Sequence, residues 1–110
     1  MPRTETYSIP LDTARKIICQ TVVEGSLTGE LCDDYTITTP AGRSVTLVFE
    51  KHFYRAGNRL TLTVVLDDFT GPTRVHCCAG GGGEGFFRFD WGASKDFEEE
   101  VFSDLNRYKG

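Results

Sequence analysis

Two residues in this chain have types and a spacing that could support thiol or metal chemistry. His76 and Cys78 are separated by one residue, so on a β-strand they would lie on one face, as a base beside a nucleophile requires. With His52 or Cys32 they could also hold a metal ion, but no Cys-x-x-Cys spacing supports such a site. No third group that would orient the histidine can be identified. We therefore predict no catalytic residue, no metal site and no cofactor.

A glycine-rich segment follows at residues 80–85, where five of six residues are glycine. It contains Gly80-x-Gly82-x-x-Gly85, a pattern that binds dinucleotides where it opens a helix within a βαβ unit. Here it leads into Phe86-Phe87-Arg88-Phe89, which is not a helix start, so the nucleotide interpretation is weak. The glycines favour a bulged strand end; the alternatives are a mobile lid or a surface where a ligand or a second subunit approaches bare backbone.

Lys51 interrupts the apolar side of the longest predicted strand. A bulge, or an extended side chain whose ammonium group reaches solvent, would explain it. Alternatively, it lies at the mouth of a pocket and pairs with an anionic ligand or with an acidic residue such as Glu30 or Asp68. With the glycines and aromatic residues downstream it forms the candidate ligand-binding set, which comprises Lys51, Phe53, Gly81, Gly82, Gly83, Phe86 and Trp91.

Composition limits the classes of protein. The 110 residues are expected to form a single domain, 1–110, large enough for a core without disulfides. The net charge of −4 argues against a nucleic-acid partner, and the apolar runs are too short for a membrane span. The N-terminus lacks the apolar region of a secretory signal. We therefore expect a cytoplasmic protein that binds no membrane and keeps its four cysteines reduced.

Hydrophobic periodicity predicts the elements that position these residues. Five strand candidates and two helix candidates follow one another as strand Thr6–Ile9, helix Leu11–Glu24, a strand containing Leu31 to Ile37, strands Ser44–Arg55, Arg59–Asp67 and Thr73–Ala79, and a helix from Ser94 to about Tyr108. This order, β-α-β-β-β-β-α, predicts an α+β two-layer domain. Its curved antiparallel sheet of about five strands would carry both helices on one face.

Alternation within the strands predicts which side chains face the core. Leu31, Tyr35 and Ile37 share one parity and are expected on one side of their strand. Gly57-Asn58 is a type II′ hairpin signal, and a two-residue turn there would place Phe49 opposite Leu66. In the last helix the predicted apolar stripe consists of Phe97, Val101, Leu105 and Tyr108.

The Arg-x-Gly-Asn-Arg hairpin at Arg55–Arg59 and the block Gly-Gly-Gly-Glu-Gly-Phe-Phe-Arg-Phe-Asp-Trp-Gly-Ala at Gly81–Ala93 resemble those of a family of small bacterial domains of unknown function. The resemblance covers most of the chain and implies no catalytic residue. The element order is also similar to the TATA-binding-protein-like and helix-grip architectures. Many such proteins bind lipids or other apolar ligands under the long helix, but the acidic charge departs from the DNA-binding members.

These observations predict a non-catalytic binding module rather than an enzyme. A pocket between the curved sheet and the C-terminal helix would hold a small apolar or anionic ligand, or the module would dock a protein partner. One alternative is a homodimer built on an exposed sheet edge or on the face around His52, Tyr54 and Thr61. A second alternative is a thiol- or metal-dependent enzyme that uses His76 and Cys78.

Overall fold

The computed structural model describes residues 3–24, 29–53, 58–81, 99, 101–103 and 105–106. Within them the elements are β1 (Arg3–Tyr7), α1 (Leu11–Cys19), a π-helical segment (Gln20–Glu24), β2 (Glu30–Thr39), β3 (Gly42–Phe53), β4 (Asn58–Asp67) and β5 (Thr73–Gly81). The strands form one antiparallel sheet in the spatial order β1-β5-β4-β3-β2, so that β1 and β2 lie at its edges among the described residues. The predicted α+β class and strand number are confirmed.

The first strand lies earlier than its alternation indicated. It was predicted at Thr6–Ile9, but β1 spans Arg3–Tyr7 and pairs with β5, with Tyr7 opposite Thr73. Tyr7 is buried, and Ile9, beyond the strand, still packs partly against the core. The Thr73 hydroxyl donates a hydrogen bond of 2.5 Å to the Ile9 carbonyl, which ties the start of β5 to the segment that leads into α1.

Helix α1 buries the side that the sequence predicted. Leu11, Ala14 and Ile18 are buried, and Val22 continues this side in the π-helical segment. The α-helix ends at Cys19, before the predicted end at Glu24, and wider π-helical turns complete the segment. The β-branched residues at positions 21–23 disfavour regular α-helix, because their side chains are restricted against the preceding turn.

The hairpin between β3 and β4 has a different register from the predicted one. A two-residue turn at Gly57-Asn58 would place Phe49 opposite Leu66, whereas Phe49 lies opposite Leu62 and the pairing extends to Phe53 and Asn58. The prediction was wrong because the turn signal is local, whereas the pairing of two long strands decides the register. The shift is an even number of residues, so every side chain keeps its predicted face.

Strand β2 contains a bulge that reverses the predicted faces of its second half. The pairing with β3 shifts between Leu31 and Asp33, which makes Cys32 an extra residue. Leu31 packs partly against the core, but Tyr35 and Ile37, predicted on the same side, are exposed. The prediction was wrong because one extra residue moves every later side chain to the other face of the sheet.

A single apolar core lies between the sheet and the helical segments. It joins the inward residues of β3, β4 and β5 to α1, and its fully buried members include Phe49, Leu62 and Val101. Residue 99 and residues 101–103 are helical, as predicted for the last helix. Val101 and Leu105 are buried as predicted; Phe102, which the stripe omitted, is also buried. Ser94, Phe97 and Tyr108 lie outside the described residues.

The turn between β2 and β3 is held against the turn that follows β4. Gly42 has a φ of +149°, and a Cβ there would meet the Asp68 Oδ1 atom at 2.5 Å, so only glycine fits. The Arg43 backbone N–H donates to the same Asp68 Oδ1 at 2.7 Å. This contact fixes one end of the sheet and with it the start of β3.

Candidate functional site

Two of the predicted ligand-binding residues lie in one cross-strand row. Lys51 of β3 is opposite Leu60 of β4, and Leu60 is opposite Gly81 of β5. Phe53, the last residue of β3, is paired with Asn58. The structure therefore brings Lys51, Phe53 and Gly81 to one end of the sheet. The remaining predicted residues lie outside the described part of the chain; they are Gly82, Gly83, Phe86 and Trp91.

Lys51 lies on the core-facing side of the sheet, two residues beyond Phe49. It is partly buried and has an interaction partner, so it is not a free cation. The neighbouring Phe49, Leu60 and Leu62 are completely buried. Side chains therefore fill the part of the interior next to this row. The register shift between β3 and β4 left Lys51 on its predicted face, opposite Leu60 instead of Val64.

The two faces of the sheet have different surroundings. We call the side that carries the apolar core the closed face. We call the opposite side the open face, because no described helix lies against it. Strand register places the following residues on the open face: Thr4, Thr6, Asp33, Tyr35, Ile37, Ser44, Thr46, Val48, Glu50, Thr61, Thr63, Val65, Asp67, Arg74, His76 and Cys78.

The most exposed large apolar side chains of the open face lie on its edge strand. Tyr35 is 59% exposed and Ile37 is 46% exposed, and every residue of β2 from Cys32 to Thr39 is exposed. The sequence interpretation placed both on the same side as Leu31 and did not identify them as surface residues. One signal could have found them: with strict alternation, Asp33 would share the buried side with Leu31, a conflict that a bulge removes.

The bulge also places Asp34 toward the helix layer. Asp34 forms an ion pair with Arg15 of α1. A second ion pair joins the same helix to β3, since the Arg43 guanidinium contacts both carboxylate oxygens of Asp12, at 3.1 and 3.2 Å. Each of these charged groups is at least one-third exposed, so the pairs orient α1 over the β2–β3 hairpin more than they add stability.

The candidate thiol pair occupies the open face near the β1 edge. His76 and Cys78 are both exposed, as expected for alternate residues of one strand. The His76 Nδ1 atom lies 2.7 Å from the Thr4 hydroxyl, so β1 supplies the orienting group that the sequence did not identify. The Cys78 thiol donates to the Ala79 carbonyl at 3.9 Å. Within the described ranges, no three His, Cys, Asp or Glu residues are grouped as a metal site requires.

Two other cysteines have thiols that resist ionisation. Partial desolvation and the nearby carboxylates of Glu50 and Glu30 raise the pKa of the Cys32 thiol. Burial raises the pKa of the Cys19 thiol, and the positive charge of Arg15 offsets part of this effect. Because the thiolate is the nucleophile, both environments disfavour nucleophilic chemistry at neutral pH.

An Arg–carboxylate pair lies on the open face. The Arg74 Nε and Nη2 atoms each donate to a different oxygen of Asp67, both at 3.0 Å. Asp67 is only 8% exposed although no described helix covers its face, because Arg74 and the following turn surround it. Such bidentate pairs are strong and geometrically specific. This part of the open face is structural.

The C-terminal helical residues are anchored on β1 through an aromatic contact. The Tyr7 ring stacks on Phe102 with a centroid separation of 6.4 Å, and the Arg3 guanidinium lies 4.4 Å from the Phe102 ring centroid. Arg3 also pairs with Glu5 at 2.9 Å. Among the described residues the buried Tyr7 hydroxyl has no hydrogen-bond partner. Burial, together with the negative charge of Glu5, raises the pKa of Tyr7 to about 12.

Sheet, core and open face together define a small α+β domain, and comparison with known families places it. The chain belongs to DUF6054, a family of unknown function, whose model matches residues 3–109. Neither a curated protein nor a solved structure matches the chain significantly. In the described part of the chain, no helix is long and apolar enough to cross a membrane.

Proposed function

We propose that this chain is a non-catalytic protein-binding module that uses the open face of its sheet along β2. The observation that carries the proposal is a contrast between strands: the closed face of β3, β4 and β5 carries buried side chains, whereas Tyr35 and Ile37 are exposed on the open face of the edge strand β2. Single exposed apolar residues are common on protein surfaces. These two are neighbours on one face of an edge strand, where a partner can also reach the backbone.

The chemistry of this surface suits recognition by a protein. Tyrosine supplies a large apolar ring with a polar end, and such residues are enriched in the well-packed centres of interfaces. Around Tyr35 and Ile37 lie polar side chains of threonine and serine, among them Thr46 and Ser44, which are opposite them in β3. An apolar centre with a polar surround is the usual anatomy of a protein interface.

The groups that could do chemistry favour a binding role over catalysis. The raised pKa of Cys19 and of Cys32 makes their thiolate fraction at neutral pH smaller than that of an ordinary thiol. His76 is engaged with Thr4, and Cys78 with a backbone carbonyl. Both lie on an open sheet surface, which offers little exclusion of water around a reacting group. We also propose a cytoplasmic location, with which the free state of all four cysteines is compatible.

Site-directed photo-crosslinking in cells of the organism that encodes the chain tests this function. A photoreactive amino acid is placed at position 35 or 37, and matched controls carry it at the exposed Lys16 of α1 or at the exposed Ser8 that follows β1. We expect protein adducts from positions 35 and 37 that exceed those from the controls. Equal adduct yields from all four positions would contradict the proposal.

A small-ligand function is the second candidate, and the Lys51–Leu60–Gly81 row favours it. Lys51 and the glycine at the end of β5 lie in the same row, with Leu60 between them, and this row could receive an anionic or amphipathic ligand. The similarity in element order to helix-grip proteins supports the small-ligand function and not the protein-binding function. Native mass spectrometry of gently purified protein, with Lys51→Ala as the variant and Lys16→Ala as the control, tests it. A co-purified ligand that Lys51→Ala loses and Lys16→Ala keeps is the expected result.

A further inference from the structure

We infer that the partner of the open face is a second copy of this chain, joined edge to edge through antiparallel pairing of the two β2 strands. The inference rests on the proposed function, since it names the protein that the binding surface recognises. It concerns the segment Asp33–Thr39, and it assigns one register to the pairing. Four observations carry it: the exposure of β2, the distribution of charge along it, its self-complementary pattern and its length.

Strand β2 presents an unprotected edge. Among the described residues β3 is its only strand neighbour, and residues 32–39 are all exposed. Proteins usually protect such edges with charged residues, proline or bulges. In β2 the bulge and the acidic residues lie in the first half, up to Asp34, whereas positions 35–39 carry no charge. The second half is therefore open to pairing with another strand.

One symmetric register pairs the apolar side chains with each other. If the two-fold axis passes beside Thr36, Tyr35 lies opposite Ile37 of the second copy, and Ile37 lies opposite its Tyr35. Aromatic and β-branched residues form favourable cross-strand pairs. The acidic residues then lie opposite threonines, Asp33 opposite Thr39 and Asp34 opposite Thr38. No acidic side chain lies directly opposite another one.

The neighbouring symmetric registers are poorer. An axis beside Asp34 would place the two Asp34 carboxylates directly opposite each other, and like charges in such pairs are destabilising. An axis beside Tyr35 would place Asp33 opposite Ile37, and an axis beside Ile37 would leave Tyr35 opposite Thr39. Both lose the two Tyr–Ile pairs. The pattern of β2 therefore complements itself best in one arrangement.

Self-complementarity favours a second copy over an unrelated strand. A two-fold interface uses the same patch on both subunits, so a single favourable pairing is formed twice. The pairing would continue the sheet across the axis, with both open faces on one side and both closed faces on the other. The other described edge, β1, has only five residues, half the length of β2, and offers a shorter template.

Sedimentation of the purified chain over micromolar to millimolar concentrations tests the association. We expect a dimer of twice the 12.3 kDa chain mass. Ile37→Lys should raise the dissociation constant at least about tenfold, because it places a charge in the apolar pairs. The matched control is Ser8→Lys, which changes an exposed residue that follows β1, at the opposite edge of the sheet, and should leave the association unchanged.

Disulfide trapping tests the register. In a Cys32→Ser/Cys78→Ser background, Thr36→Cys should cross-link two copies, since residues directly opposite in an antiparallel pair lie about 5 Å apart at Cα. The matched control is Thr38→Cys. In the dimer, the cysteines at position 38 of the two chains would be offset by roughly 13 Å along the strands, which is beyond the reach of a disulfide.

The outcomes separate this inference from the proposed function. A dimer that Ile37→Lys weakens and Thr36→Cys traps supports both. A monomer at every concentration, or a dimer that Ile37→Lys leaves intact, overturns the β2 pairing. If positions 35 and 37 then still give adducts with a different protein, the binding function stands and only the identity of the partner is wrong. If they give none above the controls, both proposals fail.

Discussion

The closed and open faces of this sheet come from the same four long strands, yet along β3, β4 and β5 they differ in burial and polarity. On the closed face, successive inward residues of β4 such as Leu62 and Val64 are completely buried. On the open face, the intervening residues of β4 include Thr61, Thr63 and the buried Asp67, which pairs with the partly exposed Arg74, and two apolar side chains are exposed at the edge. The comparison teaches that stability resides on one side of the strands, which leaves the other side available for recognition.

The largest expected effect comes from truncating one aromatic ring on each face. Phe49→Ala should reduce the free energy of unfolding by about 3–5 kcal/mol, because it opens a cavity in the core. Tyr35→Ala removes an exposed ring and should change it by no more than about 0.5 kcal/mol. Urea unfolding at low protein concentration, where association does not contribute, measures both values. Equal losses of unfolding free energy in the two variants would show that Tyr35 is buried in the folded protein.

The Arg74–Asp67 pair qualifies the comparison, because it is a structural contact on the open face. Asp67→Ala should reduce the free energy of unfolding by about 2 kcal/mol, since it removes a bidentate charge-assisted pair. Asp33→Ala, an exposed carboxylate on the same face, is the matched control and should be nearly neutral. Urea unfolding of both variants gives the difference. If the two variants behave alike, the pair makes no net contribution.

Tyr7 tests the closed face at alkaline pH. The folded-state pKa of Tyr7 is raised from 10.0 to about 12, so above pH 10 the unfolded chain loses the phenolic proton while the folded chain retains it. The unfolded state then binds fewer protons, and stability falls as the pH rises from 10 to 12, by up to about 2 kcal/mol. Below pH 10 this contribution to stability is fully present.

Tyr7→Phe should abolish that part of the alkaline loss. It also removes a buried hydroxyl that has no partner among the described residues, so stability at neutral pH should rise by about 1 kcal/mol. Unfolding curves of both proteins between pH 8 and 12 give the difference. Parallel curves across this range would mean that the Tyr7 hydroxyl is solvated in the folded protein.

The smallest expected effect concerns the reactivity of the bulge cysteine. Glu50→Gln removes one of the charges that raise the pKa of Cys32, so alkylation of Cys32 at pH about 8 should become a few times faster. Glu99→Gln, a change at an exposed helical position, is the control and should leave the rate unchanged. Mass spectrometry of peptides after timed alkylation measures the rate. An unchanged alkylation rate of Cys32 would contradict an effect of the Glu50 carboxylate on the pKa of this thiol.

Local pattern was enough to predict most of the fold. The period of two in β3, β4 and β5 predicted which side chains are buried, and the helical spacing of Leu11, Ala14 and Ile18 predicted the inward side of α1. Even the wrong β3–β4 register left these faces intact, because the error was an even number of residues. For the same reason Lys51 lies on its predicted face, and only its opposite residue changed.

The candidate binding surface was less predictable. The alternation predicted the face of Lys51, but its row with Leu60 and Gly81 follows only from the observed register. Tyr35 and Ile37 were expected inside the protein and lie outside it. The exposure of Tyr35 and Ile37 results from the single extra residue Cys32. The sequence pattern of a strand with a bulge is nearly the same as that of a regular strand, so the pattern does not reveal the bulge. Pairing with β3 and the Arg15–Asp34 contact decide where that residue is accommodated.

By itself, then, the amino-acid sequence determined the kinds of element, their order and the alternation of faces, because these depend on interactions between residues a few positions apart. Only the tertiary structure decided that β1 pairs with β5, that β2 is an edge strand and that its second half faces outward. The first depends on hydrogen bonds between segments distant in the chain, and the last depends on where the pairing of β2 with β3 accommodates the extra residue. Side-chain period carries no information about which strand becomes the neighbour.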